Sequence, residues 1–170
     1  LSRPNRLVGM NLPSPPLNVL LVGATGQIGH ALTDALVKSG VTLTVLVRRP
    51  VPGLFDARVR VITAQAFGLD VFAHALDGQD MAIYGVGLPE QFTFNAEVFE
   101  RVNVGLLKPF LQALKASPVR RLTYLSTYDV FAAQGGVIQE SNPVVDARGL
   151  SPYFAAMTRA YQMVLAQATA

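Results

Sequence analysis

Residues 17–29 read LNVLLVGATGQIG. Leu17–Gly23 is an almost unbroken aliphatic run, as expected of a strand buried on both faces. Glycines follow at positions 23, 26 and 29. Beyond them Ile28, Ala31, Leu32, Ala35 and Leu36 recur at the spacing of one helix face, and Gly40 stands after Ser39 as a C-terminal stop. A strand, a three-glycine turn and a helix therefore follow one another directly. Each glycine has a task there: the first permits a tight turn, the second lets backbone approach a pyrophosphate, and the third lets the helix pack close to the strand. Free N–H groups and the positive end of the helix dipole then face the anion. The competing reading is a glycine turn that binds nothing; its position between strand and helix favours the anion cradle.

The rest of the chain continues the alternation. Thr42–Val47 (TLTVLV) and Arg58–Thr63 (RVRVIT) predict two more strands, with Pro50 and Pro52 breaking the chain between them. Asp70–Leu76 predicts a short helix, Asp80–Val86 a fourth strand, and Arg120–Ser126 a fifth. Asn95–Ser117 carries the longest helical pattern, and Pro109 inside it is expected to kink it. Ala132–Leu150 predicts a loop and Pro152–Ala168 a final helix with proline in its first turn. The order implies right-handed parallel crossovers, so the fold class is α/β, a Rossmann doubly wound parallel sheet.

Composition narrows the function classes. The 170 residues suffice for one domain with a sizeable core: an arm or leader over 1–16, expected to be disordered, and a dinucleotide-binding domain over 17–170. Met10 is a candidate true start. The net charge of +3 comes without a basic stripe, so a nucleic-acid partner is not expected. There is no cysteine, and His30 and His74 have no ligand-spaced partners, so no metal site is expected; both histidines read as surface residues. No apolar run reaches the roughly 18 residues of a membrane span, and no secretory h-region opens the chain, so the expected compartment is the cytoplasm.

The second strand ends Val47-Arg48-Arg49. An acidic residue at this point accepts from the ribose 2′-OH of NAD, whereas an arginine fork binds the 2′-phosphate of NADP. The expected cofactor is therefore NADP(H), with NAD the lesser candidate. A solvated basic strand end is the alternative.

With these residues in place, the chain from about 18 to 168 resembles the extended and atypical short-chain dehydrogenase/reductase superfamily. It looks most like the NAD(P)-dependent epimerase/dehydratase and dihydroflavonol-reductase-like branch. Gly23, Gly26 and Gly29 match the family's GxxGxxG. Asp80 to Gly87 is similar to its fourth-strand segment, and Val102-Asn103-Val104-Gly105 to its Val-Asn-x-x-Gly motif, one residue tighter. Residues 124–131 (YLSTYDVF) resemble its YxSSxxVY pattern, and Ser151-Pro152-Tyr153 its Ser-Pro-Tyr. The resemblance implies that Tyr153 is the general acid/base, that Thr127 positions a substrate oxygen, and that Asn103 bonds backbone near the site. It implies cofactor contacts from Gly23, Thr25, Gly26, Gln27, Ile28, Gly29, Arg48 and Arg49, with Gln65 and Gly87 in support. It also implies a homodimer through helices 95–117 and 152–168.

Three departures stand out. The family's lysine four residues after the tyrosine is Met157, and the following glutamate is Tyr161. A thioether cannot stabilise a phenolate, and an unassisted tyrosine with pKa near 10 is only about one part in a thousand ionised at neutral pH. Arg159 points about 200° away around the helix from Met157 and cannot substitute. Gln65 stands where the family often has an adenine-contacting aspartate. Family members also continue for about a hundred residues more, with a substrate lobe; its lack would leave the fifth strand as a bare edge. The expectation is an atypical NADP(H)-dependent oxidoreductase or epimerase/dehydratase-like protein acting on a small carbonyl or hydroxyl compound. The alternative is a non-catalytic NAD(P)-binding regulatory or partner protein, and a weaker option is a fragment of a longer epimerase or dehydratase.

Overall fold

The computed structural model describes residues 16–168, so the arm expected over 1–16 lies almost wholly outside the described residues. Five parallel strands form one sheet in the order β3-β2-β1-β4-β5. They are β1 (Asn18–Val22), β2 (Thr42–Val47), β3 (Arg60–Thr63), β4 (Met81–Tyr84) and β5 (Arg121–Tyr124). The helices are α1 (Gln27–Lys38), α2 (Leu69–Leu76), α3 (Ala96–Phe99), α4 (Leu107–Lys115) and α5 (Pro152–Ala168). This is the doubly wound parallel architecture anticipated from the alternation. The strand order reverses between β1 and β4, where in such sheets the crevice beyond the carboxyl ends receives ligands.

Alternate side chains of each central strand feed opposite cores. Leu20 and Val22 of β1, with Ala82 and Tyr84 of β4, pack with Phe72, Phe110 and Ala156 of α2, α4 and α5. Val19 and Leu21, with Ile83, pack on the other face with Val37 of α1 and Val45 of β2. Both faces are thus covered, which is why these strands read as unbroken apolar runs. The β2–β3 crossover carries no helix. Pro50 and Pro52 lie in it, and Val51, Phe55 and Val59 cover the α1-side core in place of one.

The long helix expected over 95–117 is three segments. Between α3 and α4 the chain runs as a π-helical turn, Glu100–Gly105. Pro109 therefore falls in the first turn of α4, where a missing N–H leaves no intrahelical bond unmade. The register change accommodates the proline, so the expected kink is a π turn upstream of it. Asn95 caps α3, its Oδ1 accepting from the Glu97 N–H at 2.9 Å. The loop 132–150 holds two isolated bridges, Phe131–Val144 and Gln134–Val137.

The turn between β1 and α1 is closely packed against the segment after β4. Gly23 has φ +101°, and a Cβ there would lie 2.7 Å from the Gly85 carbonyl. A Cβ on Gly29 would lie 2.1 Å from the Gly23 oxygen. Gly29→Ala should therefore displace the start of α1 from β1 and destabilise the protein by about 3 kcal/mol. Denaturant unfolding checks this, and an unchanged midpoint would refute the close approach.

Candidate functional site

The carboxyl ends of β1, β2, β4 and β5 open onto a groove with two connected parts. The smaller part, about 320 Å³, is bounded by Gly23, Thr25, Gly26, Arg48, Phe67 and Gly85–Leu88. The larger, about 640 Å³, shares Gly23, Gly26 and Gly85–Leu88 and adds Gln27, Ile28, Gly29, Phe92, Leu125, Ser126, Tyr153 and Met157. The common wall is thus the first turn after β1 and the segment after β4.

The start of α1 is built to face an anion. Gly26 is its N-cap, without a side-chain cap, and no acidic residue occupies the first turn. The Gly26 N–H donates to the Gly23 carbonyl at 3.1 Å and the His30 N–H to the Gly26 carbonyl at 2.8 Å. The N–H groups of Gln27, Ile28 and Gly29 between them have no intrahelical acceptor. They carry the positive end of the helix dipole to the groove wall. Arg48 lines the smaller part and not the larger. Arg49 and Gln65 are exposed and do not line either part of the groove.

The segment after β4 is clamped from the π turn. Asn103 is 1% exposed. Its Oδ1 accepts from the Leu88 N–H at 2.6 Å, and its Nδ2 donates to the Leu88 carbonyl at 3.2 Å. Asn103 lines neither part of the groove; it positions the strip Gly85–Leu88 that forms both. π turns recur at functional sites because they re-aim a side chain from a helix, and this one turns an amide onto Leu88.

Tyr153, in the first turn of α5, lines the larger part and packs edge-on against Phe99 at 5.6 Å and Phe154 at 5.1 Å. Burial raises its phenol pKa first, and the carboxylates of Asp129 and Glu90 raise it further. Met157 stands one turn on, 7% exposed, in the same wall. Arg159 is engaged elsewhere, its Nε donating to Glu100 at 3.1 Å. Tyr161 packs on Phe131 with ring centres 5.3 Å apart. Behind Tyr153, Tyr124 is pushed up to about 12, chiefly by burial. Tyr84 rises still further for the same reason, its hydroxyl buried without a partner.

Of the residues singled out in the sequence, Gly23, Thr25, Gly26, Gln27, Ile28, Gly29, Arg48, Gly87 and Tyr153 line the groove. Thr127 is turned differently. Its Oγ1 donates to Asp129 Oδ2 at 2.7 Å and caps the short 3₁₀ turn Tyr128–Val130, while the neighbouring Ser126 lines the groove. Both hydroxyls stand in the tetrapeptide LSTY, and the course of the chain beyond β5 decides which faces inward. Phe92 and Leu88 went unnoticed in the sequence, because nothing local marks a loop residue as a cavity wall. Among the described residues no group of three or more His, Asp or Glu could hold a metal ion, and no helix is long and apolar enough to cross a membrane.

Comparison with known proteins agrees with this geometry. A family described as NAD(P)H-binding matches residues 23–169. Short-chain dehydrogenase/reductase family 42E member 1 of Bos taurus is 30% identical over 122 residues, 69% of this chain and 31% of that protein. The structure of MoeE5 in complex with UDP-glucuronic acid and NAD superposes with a TM-score of 0.72 at 26% identity, over 90% of this chain and 50% of that one. The UDP-glucuronic acid 4-epimerase of Bacillus cereus in complex with NAD superposes with a TM-score of 0.73 at 19% identity, over 90% and 53%. The chain thus spans about a third to a half of the length of these relatives.

Asn103→Ala would strip both partners from Leu88. The expected cost is about 2 kcal/mol of stability, with weaker nucleotide binding through a loosened Gly85–Leu88 strip. Denaturant melts together with nucleotide titration check it; stability lost with affinity intact would separate the clamp from the groove.

Proposed function

The chain belongs to the NAD(P)H-binding family, within the extended and atypical short-chain dehydrogenase/reductase superfamily, and from that premise we propose an NADP(H)-dependent oxidoreductase or epimerase/dehydratase-like protein acting on a small carbonyl or hydroxyl compound. The observation that carries the reading is one groove joining the uncapped start of α1 to the Tyr153 wall. Gln27, Ile28 and Gly29 would hold the pyrophosphate by backbone N–H groups. Arg48, with Arg49 beside it, would favour a 2′-phosphate over a bare ribose. The nicotinamide, when bound, supplies or accepts hydride.

This chain's own chemistry lies in the proton. With burial and two carboxylates acting on Tyr153, its hydroxyl stays protonated throughout the neutral range. A neutral phenol donates a proton to a substrate oxygen but is a poor base, so reduction is the favoured direction. Ser126 lines the same wall and can donate a second hydrogen bond. The second reading, a non-catalytic NADP(H)-binding regulatory or partner protein, draws support from the buried Met157, which brings no charge to the phenol.

The first test is calorimetric titration of nucleotide-free protein with NADPH and NADH in parallel. NADPH should bind about tenfold tighter, and Arg48→Ala should remove most of that preference. Binding of neither nucleotide would overturn the cofactor reading; tighter NADH would overturn the role of Arg48.

Met157→Lys should bring an ammonium one turn from Tyr153 and lower its pKa. The expected result is a gain in turnover with a panel of carbonyl compounds, together with an alkaline limb moved to lower pH. Absence of turnover in both forms, with NADPH bound, would favour the binding protein.

A further inference from the structure

The outer edge of β3 is open: β3 pairs with β2 and with no other strand among the described residues. The β2–β3 crossover carries no helix, so the α1 side of this strand is also largely uncovered. Val61 is 42% exposed there. It borders a shallow trough of about 360 Å³ walled by Pro50, Pro52, Phe55, Val59, Val61 and Thr63. An open strand edge beside an apolar trough can receive a further strand by backbone pairing.

The hydrogen-bonding pattern of the edge decides which strand fits. The Ala64 N–H donates inward to the Val47 carbonyl at 3.0 Å. Along a strand the backbone groups point alternately to its two sides, so Arg60 and Ile62 also bond towards β2. The N–H and C=O of Val61 and the N–H of Thr63 therefore point outward. So does the carbonyl of Val59, whose own N–H is taken by the Asp56 carbonyl at 2.9 Å. This series is its own complement when turned about a two-fold axis at Val61. Each Val61 N–H then meets the Val61 carbonyl of the second copy, and each Thr63 N–H meets a Val59 carbonyl.

The side chains favour the same register. A two-fold axis perpendicular to the sheet keeps its faces, so the two Val61 side chains stand opposite each other and the two troughs join on one face. Apolar side chains opposed across strands remove each other from water. On the other face Arg60 stands opposite Ile62 of the second copy. Arg58 is neutralised within its own chain, its Nε 2.9 Å from Asp56 Oδ1. A slip that set Arg60 against Arg60 would oppose like charges.

We propose that the β3 edge is an interface between two copies of this chain, paired antiparallel about Val61 so that two five-stranded sheets become one continuous sheet. The surface is separate from helices 95–117 and 152–168, and it requires neither the groove nor a nucleotide. The paired segment is short, so the association is reversible, with a dissociation constant on the order of 10–100 µM.

The chain has no cysteine, so Val61→Cys introduces a single thiol. Facing residues of a hydrogen-bonded antiparallel pair have Cα atoms about 5.5 Å apart, within the roughly 4.4–6.8 Å that a disulfide spans. Glutathione disulfide serves as the oxidant: two protein thiols pass two electrons to it, one interchain disulfide forms, and two glutathiones leave. Val61→Cys should give the covalent dimer at least about tenfold faster than Val137→Cys, an exposed thiol in the loop after β5. Sedimentation velocity from about 10 to 500 µM should show the unmodified chain associating, and Val61→Lys should abolish it. Thr63→Pro is the second variant. It deletes an outward N–H and none bonded to β2, so it should weaken association several-fold while the sheet keeps its ladder.

Association indifferent to both variants would place the contact on another surface, such as the helices, and overturn the proposal. A Val61→Cys chain that forms no disulfide would also overturn it. Rapid reaction of that thiol with Ellman's reagent would then show an edge open to other partners, and slow reaction in a monomer would show an edge covered by the chain itself.

Discussion

Three backbone segments meet at the switch point with no room for a side chain between them. A β-carbon on Gly23 would strike the Gly85 carbonyl, and one on Gly29 would strike the Gly23 oxygen. This contact brings the end of β1, the end of β4 and the start of α1 to within van der Waals distance. Everything in the groove is referred to it. The cradle N–H groups, the Gly85–Leu88 strip and the wall built on that strip all take their positions from this junction. A β-carbon on Gly26, by contrast, would meet only the Gly23 oxygen, at 3.4 Å, so the packing of the protein leaves room for one there.

The junction is held from both sides by different means. On the α1 side it is packing: β1 is fully covered and its residues alternate between two cores. On the far side it is a pair of hydrogen bonds from one buried amide, Asn103, delivered by a π-helical turn. Pro109 follows that turn and sits where its missing donor costs nothing. Helix irregularity, backbone clamp and groove wall are thus one construction. A regular helix over 96–115 would have put the proline in its interior, at a cost of about 3 kcal/mol.

At the opposite end the electrostatics invert what a lysine would do. In place of a cation one turn from the tyrosine there is a buried thioether, and the charges that act on the phenol are the carboxylates of Asp129 and Glu90. The phenol is held protonated.

Much of the scaffold was legible in the sequence because its signals are local. Continuous aliphatic runs mark strands buried on both faces, three glycines at a strand–helix junction mark the cradle, and proline immediately before Tyr153 marks the start of α5. The five strands, α1 and α5 follow from these within a residue or two. The turn 100–105 was not legible, because an extra residue in a helix leaves the apolar periodicity almost unchanged. The order of two adjacent hydroxyls was not legible either. Ser126 and Thr127 are equivalent by composition, and only the path of the chain after β5 turns one to the groove and the other to Asp129. Phe92, in the turn after β4, and Ser126, after β5, line the same cavity as Tyr153 although the three are distant in the chain, so their meeting there has no signature at any one of them. The sequence by itself determined the cradle and the sheet, since backbone geometry and burial are written in neighbouring residues. Only the tertiary structure decided what surrounds the tyrosine, since charge and shape there are sums over residues distant in the chain.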